Sequence, residues 1–280
     1  MAVTIITSSI SCLPVEQVEK YAIKVIPIPF ILDGHSYLDG VDISTADVYK
    51  LLAYKMPFRT SAPAPGIFIK TYEEVLRKSD AVLCITVPHK ISMMYESATD
   101  AAKQMPSGAR VHVMDAGTAG GGQALIDLAA ARAAAAGASL EELIELVRRI
   151  QGTISLYGLI VDPQYLVRTG RIPSPLPSAA SLFSIKPVFT IGQGKIKFSG
   201  VVRSEKAGMD RMISLMQGKV GTQSVRIIIQ HANAHELAVT LSQRVQKTFN
   251  CTEIIVTEFS PVIGFATGPG SLALAFQIES

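Results

Sequence analysis

The 280-residue chain has 26 Lys and Arg against 23 Asp and Glu, and 48% of its residues are hydrophobic while 18% are charged. This composition excludes a disordered protein, and the length suffices for one large domain or two ordinary ones. The net charge of +3, with no run of Lys or Arg and no Trp, gives no indication of a nucleic-acid-binding surface.

The cysteines and the N-terminal sequence indicate in which cellular compartment the protein is expected. Three widely separated cysteines (Cys12, Cys84 and Cys251) form no CxxC pair, so neither a zinc site nor a disulfide framework is indicated. The N-terminus lacks a basic leader followed by a long apolar stretch, and no window approaches the length of a membrane span. We therefore expect a cytoplasmic protein with reduced thiols and no membrane insertion.

The first half of the chain alternates short apolar runs with helical patterns. Strands are predicted over residues 3–7, 25–32, 81–86 and 110–115, and helices over 44–54, 92–102 and 143–150. Ser44 with Asp47 is typical of a helix N-terminus, and Ser139-Leu140-Glu141-Glu142 is a capping-box signature. This alternation predicts an α/β fold with a largely parallel sheet covered by helices on both faces.

Gln151-Gly152 is a plausible domain boundary. We expect an N-terminal α/β domain over residues 1–152 and a C-terminal α+β domain over 153–280, packed together with the ligand in the interdomain region. The predicted elements of the second domain are a strand 154–161, a helix 163–169 ended by Gly170, a proline-rich loop 172–178, a hairpin 185–202 turning at 192–194, helices 206–217 and 234–248, and strands 225–230, 253–259 and after 270.

Catalytic motifs are missing, and one glycine-rich loop needs an interpretation. The loop from Gly117 to Gly122 follows a strand and opens a helix, which is where phosphates bind. It does not match GxGxxG, and Asp115 would repel an anion. We favour a tight turn that lets the next helix pack closely, and keep a phosphate- or nucleotide-binding enzyme as the alternative. His231 and His235 have HxxxH spacing, but no Glu follows His231 as one does in HExxH, so no metal site is expected.

Small hydroxyl residues lie near predicted strand ends and helix starts. They are Thr7-Ser8-Ser9, Thr60-Ser61 and Ser92. Each alone is explained by an ordinary N-cap, but ligands of open α/β sheets bind outside the carboxyl ends of the strands. Hydroxyls and free helix N–H groups there can bind a carboxylate, so the sequence predicts a shared anion site.

These and other segments, in order along nearly the whole chain, resemble the DegV family, which includes the fatty-acid-binding (FakB-like) subunits of bacterial fatty acid kinase. The matching segments are Thr7-Ser8-Ser9 (TDSS in the family), Thr60-Ser61-Ala62-Pro63 (TSQPS), Ile91-Ser92-Met93-Met94-Tyr95 (LSGTY), Val113-Met114-Asp115 (VIDS), Arg168-Thr169-Gly170-Arg171-Ile172 (KGGRI), Ile185-Lys186-Pro187 (IKP), Arg203 at a hairpin end, and Thr267-Gly268-Pro269-Gly270 (HTGPG).

The resemblance implies a fatty-acid carrier that is not itself an enzyme. It implies a carboxylate held by Thr60 and Ser92, an acyl chain in an apolar tunnel, and a partner kinase that phosphorylates the bound acid for phospholipid synthesis. No cofactor or metal is expected on this chain, and a divergent lipid carrier without a kinase partner is the further alternative. The predicted fatty-acid-binding residues are Thr60, Ser61, Ser92, Arg171, Arg203, Thr267 and Gly268.

The sequence also departs from the family pattern. Ser8 replaces an Asp, Met93-Met94 replaces Gly-Thr, and Ala266 stands where the family has His. Lipid binding depends mostly on apolar burial, whereas phosphoryl transfer depends on polar geometry. We therefore expect lipid to bind and phosphorylation to be weakened.

Overall fold

The computed structural model describes residues 2–52, 57–168 and 185–279, with side chains at 52 and 166–168 left out. Its helices are α1 (Val15–Lys20), α2 (Thr45–Leu52), α3 (Pro65–Leu76), α4 (Met94–Gln104), α5 (Gly121–Ala135), α6 (Leu140–Gln151), α7 (Pro163–Arg168), α8 (Glu205–Val220), α9 (His235–Thr248) and α10 (Pro261–Thr267). Its strands are β1 (Val3–Ser8), β2 (Lys24–Ile26), β3 (Pro29–Leu32), β4 (His35–Leu38), β5 (Phe58–Thr60), β6 (Ala81–Thr86), β7 (Val111–Asp115), β8 (Ile154–Leu159), β9 (Lys186–Gly192), β10 (Lys195–Val202), β11 (Val225–His231), β12 (Cys251–Glu258) and β13 (Leu272–Ile278).

The first half forms a parallel sheet in the order β2-β1-β6-β7. Every residue of β6 is buried, because Val82 and Cys84 pack with α3 and α4 on one face while Leu83 and Ile85 pack with α5 and α6 on the other. A strand covered on both faces reads as a continuous apolar run. The predicted α/β fold with helices on both faces is confirmed.

The predicted strand 25–32 is wrong as a single element. β2 pairs with β1, whereas β3 belongs to a separate antiparallel sheet in the order β4-β3-β5. Pro27 separates them, and proline has no N–H to continue the pairing. The small sheet packs through stacked rings: Phe58 lies 4.9 Å from Phe30 and 3.6 Å from Phe265 between centroids.

The second half forms a mixed sheet in the order β10-β9-β8-β13-β11-β12, in which β11 and β12 are parallel and the other neighbours antiparallel. The predicted hairpin is confirmed, with Gln193 (φ 52°) and Gly194 (φ 70°) both in the left-handed region that two-residue turns use. Helices α8 and α9 cover this sheet.

Helix α5 packs against strands of both large sheets. A Cβ on Gly121 would lie 3.0 Å from Ala275 Cβ, and one on Gly122 would lie 2.5 Å from Thr118 Oγ1. Glycine therefore permits this close approach, as the favoured interpretation of the loop predicts. One apolar cluster includes Leu83 and Ala275, so the division at residue 152 stays a prediction.

Elsewhere, local sequence patterns predicted some elements correctly and missed others. Ser139 and Glu142 form the predicted capping box. The sequence missed α10, which has only seven residues and no apolar period. The predicted helix end at Gly170 and the loop 172–178 lie outside the described residues. Within the described part of the chain, no helix is long and apolar enough to cross a membrane.

Candidate functional site

An open cavity lies between the parallel sheet, the small antiparallel sheet and the mixed sheet. It contains about 1070 Å³ of atom-free space, counting the solvent at its open end. Most of its wall is apolar or glycine: Ile10, Ile28, Ala62, Val87, Ile91, Ala119, Gly120, Leu156, Phe189, Ile191, Ile196, Phe259, Val262, Ile263, Ala266 and Ala273. Such a wall suits a long apolar ligand.

Among the described residues that line the cavity, none has a charged side chain. The polar side chains are Thr60, Ser61, Ser92, Gln230 and Thr267. Four of these were predicted from the sequence, and they come from segments up to about two hundred residues apart in the chain. The fold therefore brings most of the predicted hydroxyls to one cavity.

Ser92 is placed to donate a hydrogen bond into the cavity. Its Oγ accepts the N–H of Met94, the first residue of α4, at 3.3 Å. A hydroxyl has one proton and two acceptor positions, so the Ser92 proton is left to donate to a ligand oxygen. Thr60 ends β5, is half-buried and pairs through its backbone with Phe30.

The other predicted hydroxyls differ in their capacity to bind an anion. Ser61 is exposed at the cavity, and its backbone N–H donates to Pro29 O at 3.1 Å. Thr267 Oγ1 donates to Ile263 O at 2.8 Å. In this arrangement Thr267 offers a ligand only an acceptor, and an ionised carboxylate needs donors.

Gly268 does not line the cavity. Its N–H donates to Gly264 O at 2.8 Å, and a Cβ at its position would lie 2.4 Å from a ring atom of Tyr165. With φ at 77°, this residue makes a tight turn against an aromatic ring. Its place in the structure is explained by packing.

The structure also locates Arg203 and three residues that depart from the family pattern, Met93, Met94 and Ala266. Arg203 is exposed just after β10 and does not line the cavity, and Arg171 lies outside the described residues. Ala266 lines the cavity. Met94 is in the core and Met93 is 63% exposed, so neither reaches the cavity wall.

The segment Thr7-Ser8-Ser9 does not join the predicted anion site. Thr7 donates to Asp127 Oδ2 at 2.6 Å and accepts from Gln123 Nε2 at 3.0 Å, in a fully buried network. Burial raises the pKa of Asp127 well above its usual value. The prediction failed here because the Thr7 hydroxyl serves the contact of β1 with α5, while Ser9 Oγ accepts the N–H of Ile28 at 3.1 Å.

The glycine-rich loop is held by its own chain. Asp115 Oδ1 accepts the N–H of Gly117 at 2.7 Å, and Asp115 Oδ2 lies 2.6 Å from His89 Nδ1. The carboxylate therefore accepts a backbone N–H that a bound phosphate would need as a donor. Among the described residues no group of His, Cys, Asp and Glu is arranged to hold a metal ion.

Sequence reasoning missed two polar residues near the cavity. Gln230 lines it from within β11, where a single amide in an apolar strand was the available signal. Asp39 is 2% exposed, and its Oδ1 accepts the N–H of Val262 at 3.0 Å, at the start of α10. Burial raises the pKa of Asp39, and nothing local in the sequence marks this distant contact.

Comparison with known proteins gives a consistent result along the whole chain. Residues 2–279 match the family model described as "Uncharacterised protein, DegV family". A DegV domain-containing protein of Caldanaerobacter subterraneus is 30% identical over 281 residues, with 98% of each chain covered. A second, from Listeria innocua, is 29% identical over 280 residues, with 99% of each chain covered.

Solved structures agree. A DegV family protein from Thermus thermophilus, described by its fatty acid binding, superposes with a TM-score of 0.92 at 26% identity, with all of both chains covered. DegV from Bacillus subtilis, described as a fatty acid binding protein, superposes at 0.90 with 24% identity and full coverage of both chains. The second likeness establishes the fold alone.

Proposed function

Because this chain belongs to the DegV family, we propose that it binds a long-chain fatty acid and presents it to a fatty acid kinase in the cytoplasm. The acyl chain lies in the apolar cavity, and the carboxylate is bound by the hydroxyls of Thr60 and Ser92. The protein itself performs no catalysis, since it supplies the bound substrate while the kinase supplies nucleotide and metal.

The cavity is the observation that carries the proposal. Its wall is apolar apart from a few hydroxyls and one amide, and its described part contains no charged side chain. Burying about 14 methylenes at about 0.8 kcal/mol each contributes roughly 11 kcal/mol before the costs of association. The fatty acid binding described for the Thermus thermophilus relative supports this ligand class.

The head group follows from the hydroxyls. Ser92 keeps a free proton because its Oγ already accepts from Met94 N. Thr60 lies at the same cavity on a different element. Neutral donors bind an ionised carboxylate without burying an opposite charge beside the lipid.

Analysis of the ligand retained from cells tests the proposal. Native mass spectrometry of the purified protein is expected to give a mass increase matching one long-chain fatty acid, with its identity established by gas chromatography after extraction. Failure of the lipid-stripped protein to take up added fatty acid would contradict the proposal, and a nucleotide mass would favour the nucleotide-binding alternative.

Presentation to a kinase needs a separate test. Arg203 is exposed after β10 without lining the cavity, so we assign it to the docked kinase. Arg203→Ala is expected to reduce acyl-phosphate formation by a fatty acid kinase with ATP, while fatty acid affinity stays unchanged. If the unaltered protein supports no acyl-phosphate formation at all, the alternative of a carrier without a kinase partner holds.

A further inference from the structure

One side chain in the cavity wall has an unused hydrogen-bonding atom. Gln230 is 0% exposed and lines the cavity from β11. Its Nε2 donates to Ser11 O at 2.9 Å, and its Oε1 is buried with no hydrogen-bond partner in the described part of the chain. A buried amide oxygen without a donor is unfavourable.

The orientation of this amide is determined by its neighbour. Turning the amide over would place Oε1 against the carbonyl oxygen of Ser11, and two acceptors repel. The oxygen therefore remains on the other side, next to Gly120, which also lines the cavity. A Cβ on Gly120 would lie 2.9 Å from Oε1, so a side chain in place of this glycine would press against the oxygen.

In the described part of the chain no donor reaches Gln230 Oε1, so a ligand is left as the source of one. Beside the oxygen, Gly120 has no side chain and Leu156 has an apolar one, and none of the described hydroxyls of the wall makes a hydrogen bond to it. A saturated acyl chain has no donor to offer, and an ionised carboxylate is only an acceptor. A hydroxyl group on the acyl chain would both fit a cavity of this kind and donate to Oε1.

We infer that Gln230 recognises a hydroxyl group on the acyl chain, so that the preferred ligand is a long-chain fatty acid hydroxylated away from its carboxylate. This inference rests on the proposed function, since it assumes that the cavity holds an acyl chain. It adds a second polar contact, separate from Thr60 and Ser92, that selects among fatty acids.

Binding measurements on lipid-stripped protein test the inference. Octadecanoic acid is compared with mono-hydroxy octadecanoic acids that have the hydroxyl at successive internal carbons. At least one hydroxy acid is expected to bind about tenfold more tightly than octadecanoic acid, the effect of one added hydrogen bond in a buried site. The preference should be confined to a few adjacent positions, because Oε1 is fixed.

Two variants locate the effect. Gln230→Met keeps the length of the side chain and removes the amide, so the preference should disappear while octadecanoic acid binds as well or better. Gln123→Met is the matched control, because Gln123 is also buried with an unpartnered Oε1 but does not line the cavity. It should leave the ratio of affinities unchanged.

The outcomes separate this inference from the proposed function. If neither acid binds, the proposed fatty acid binding itself fails. If octadecanoic acid and every hydroxy acid bind the unaltered protein equally, fatty acid binding stands and the inference is wrong, as when a water molecule occupies the place beside Oε1. That comparison requires no variant, so a misfolded Gln230→Met protein does not prevent a decision.

Discussion

At the scale of single residues, the hydrogen bonds that Ser92 and Thr267 already make determine what their hydroxyls can offer a ligand. Ser92 accepts from a backbone N–H and keeps its proton, whereas Thr267 has used its proton on Ile263 O. The two side chains line the same cavity but offer a ligand opposite capacities. Position alone therefore does not determine which hydroxyl binds a carboxylate.

The head-group assignment predicts a loss of affinity on removing both donors. A hydrogen bond to a charged group contributes about 1.5–3 kcal/mol, so Thr60→Val with Ser92→Ala should weaken fatty acid binding at least about tenfold. Calorimetric titration of the lipid-stripped protein with fatty acid measures this loss of affinity. Ser97→Ala, which removes a hydroxyl on α4 outside the cavity wall, is the control. Unchanged affinity of the double variant would exclude the assignment.

Ala266 lines the cavity, and the resemblance to the DegV pattern implies a His at this position, so we expect the bound fatty acid to be a poor substrate for a fatty acid kinase. A methyl group can neither donate to nor orient the carboxylate. Ala266→His should raise the rate of acyl-phosphate formation with little change in fatty acid affinity. The expectation fails if the unaltered protein is already phosphorylated as fast as a relative that has the His.

Asp127 predicts a pH dependence of stability. Its folded-state pKa is raised by burial above the unfolded value, so its carboxyl favours folding at low pH and this contribution is lost as pH rises towards the folded pKa. Asp127→Asn does not ionise in the unfolded chain. The stability of the variant relative to the unaltered protein should therefore grow by about 1.4 kcal/mol per pH unit from about pH 4 until the raised pKa of Asp127 is reached.

Urea unfolding of both proteins between pH 4 and pH 8 measures this difference. Differences between the two proteins isolate the one carboxyl from all other titrating groups. A stability difference that stays constant with pH would mean that Asp127 ionises in the folded protein as readily as in the unfolded chain.

At the scale of elements, helix α10 determines much of the cavity wall. It contributes Val262, Ile263, Ala266 and Thr267 within seven residues. Its first turn is held by Asp39, more than two hundred residues earlier in the chain, whose Oδ1 accepts from Val262 N. The position of this wall therefore depends on a contact with the N-terminal part of the chain.

Removing that contact should loosen the wall. Asp39→Ala leaves a buried N–H without its acceptor and should cost about 1–3 kcal/mol in the free energy of unfolding, together with faster release of fatty acid. Asp39→Asn retains an acceptor oxygen and should lose much less. Thermal unfolding and stopped-flow release of a fluorescent fatty acid measure the two effects. Equal behaviour of the two variants would contradict a role for the hydrogen bond.

At the scale of the whole molecule, the cavity joins both halves of the chain. Its wall includes Val87 and Ala119 from the first half and Leu156 and Phe189 from the second. Helix α5 also packs against both large sheets. A ligand in this cavity contacts both halves at once, so it should bind only when both are folded.

Ligand should therefore stabilise the protein as one unit. At a free fatty acid concentration of 100 times Kd, the free energy of unfolding should rise by about 2.7 kcal/mol. Scanning calorimetry of stripped and loaded protein should give a single transition that moves upward with ligand. Two transitions, of which only one moves, would show that the halves unfold independently and that the ligand contacts one of them.

The sequence by itself determined the elements that depend on local patterns. The run 81–86 was predicted at the bounds that β6 has, because a strand buried on both faces needs an unbroken apolar segment. The capping box at Ser139 and the two-residue turn at Gln193 were likewise correct, because caps and turns are set by a few adjacent residues. Alternation of such elements was enough for the fold class.

Only the tertiary structure decided which polar groups face the cavity. Thr7 and Ser92 were equally good candidates for the anion site in the sequence. In the structure, Thr7 donates a hydrogen bond to Asp127 in the core, whereas Ser92 lines the cavity. Gln230 and α10 became recognisable through contacts with Ser11 and Asp39, far away in the chain. Such contacts leave no local pattern, because they depend on how separately formed elements pack and on which atoms that packing leaves without partners.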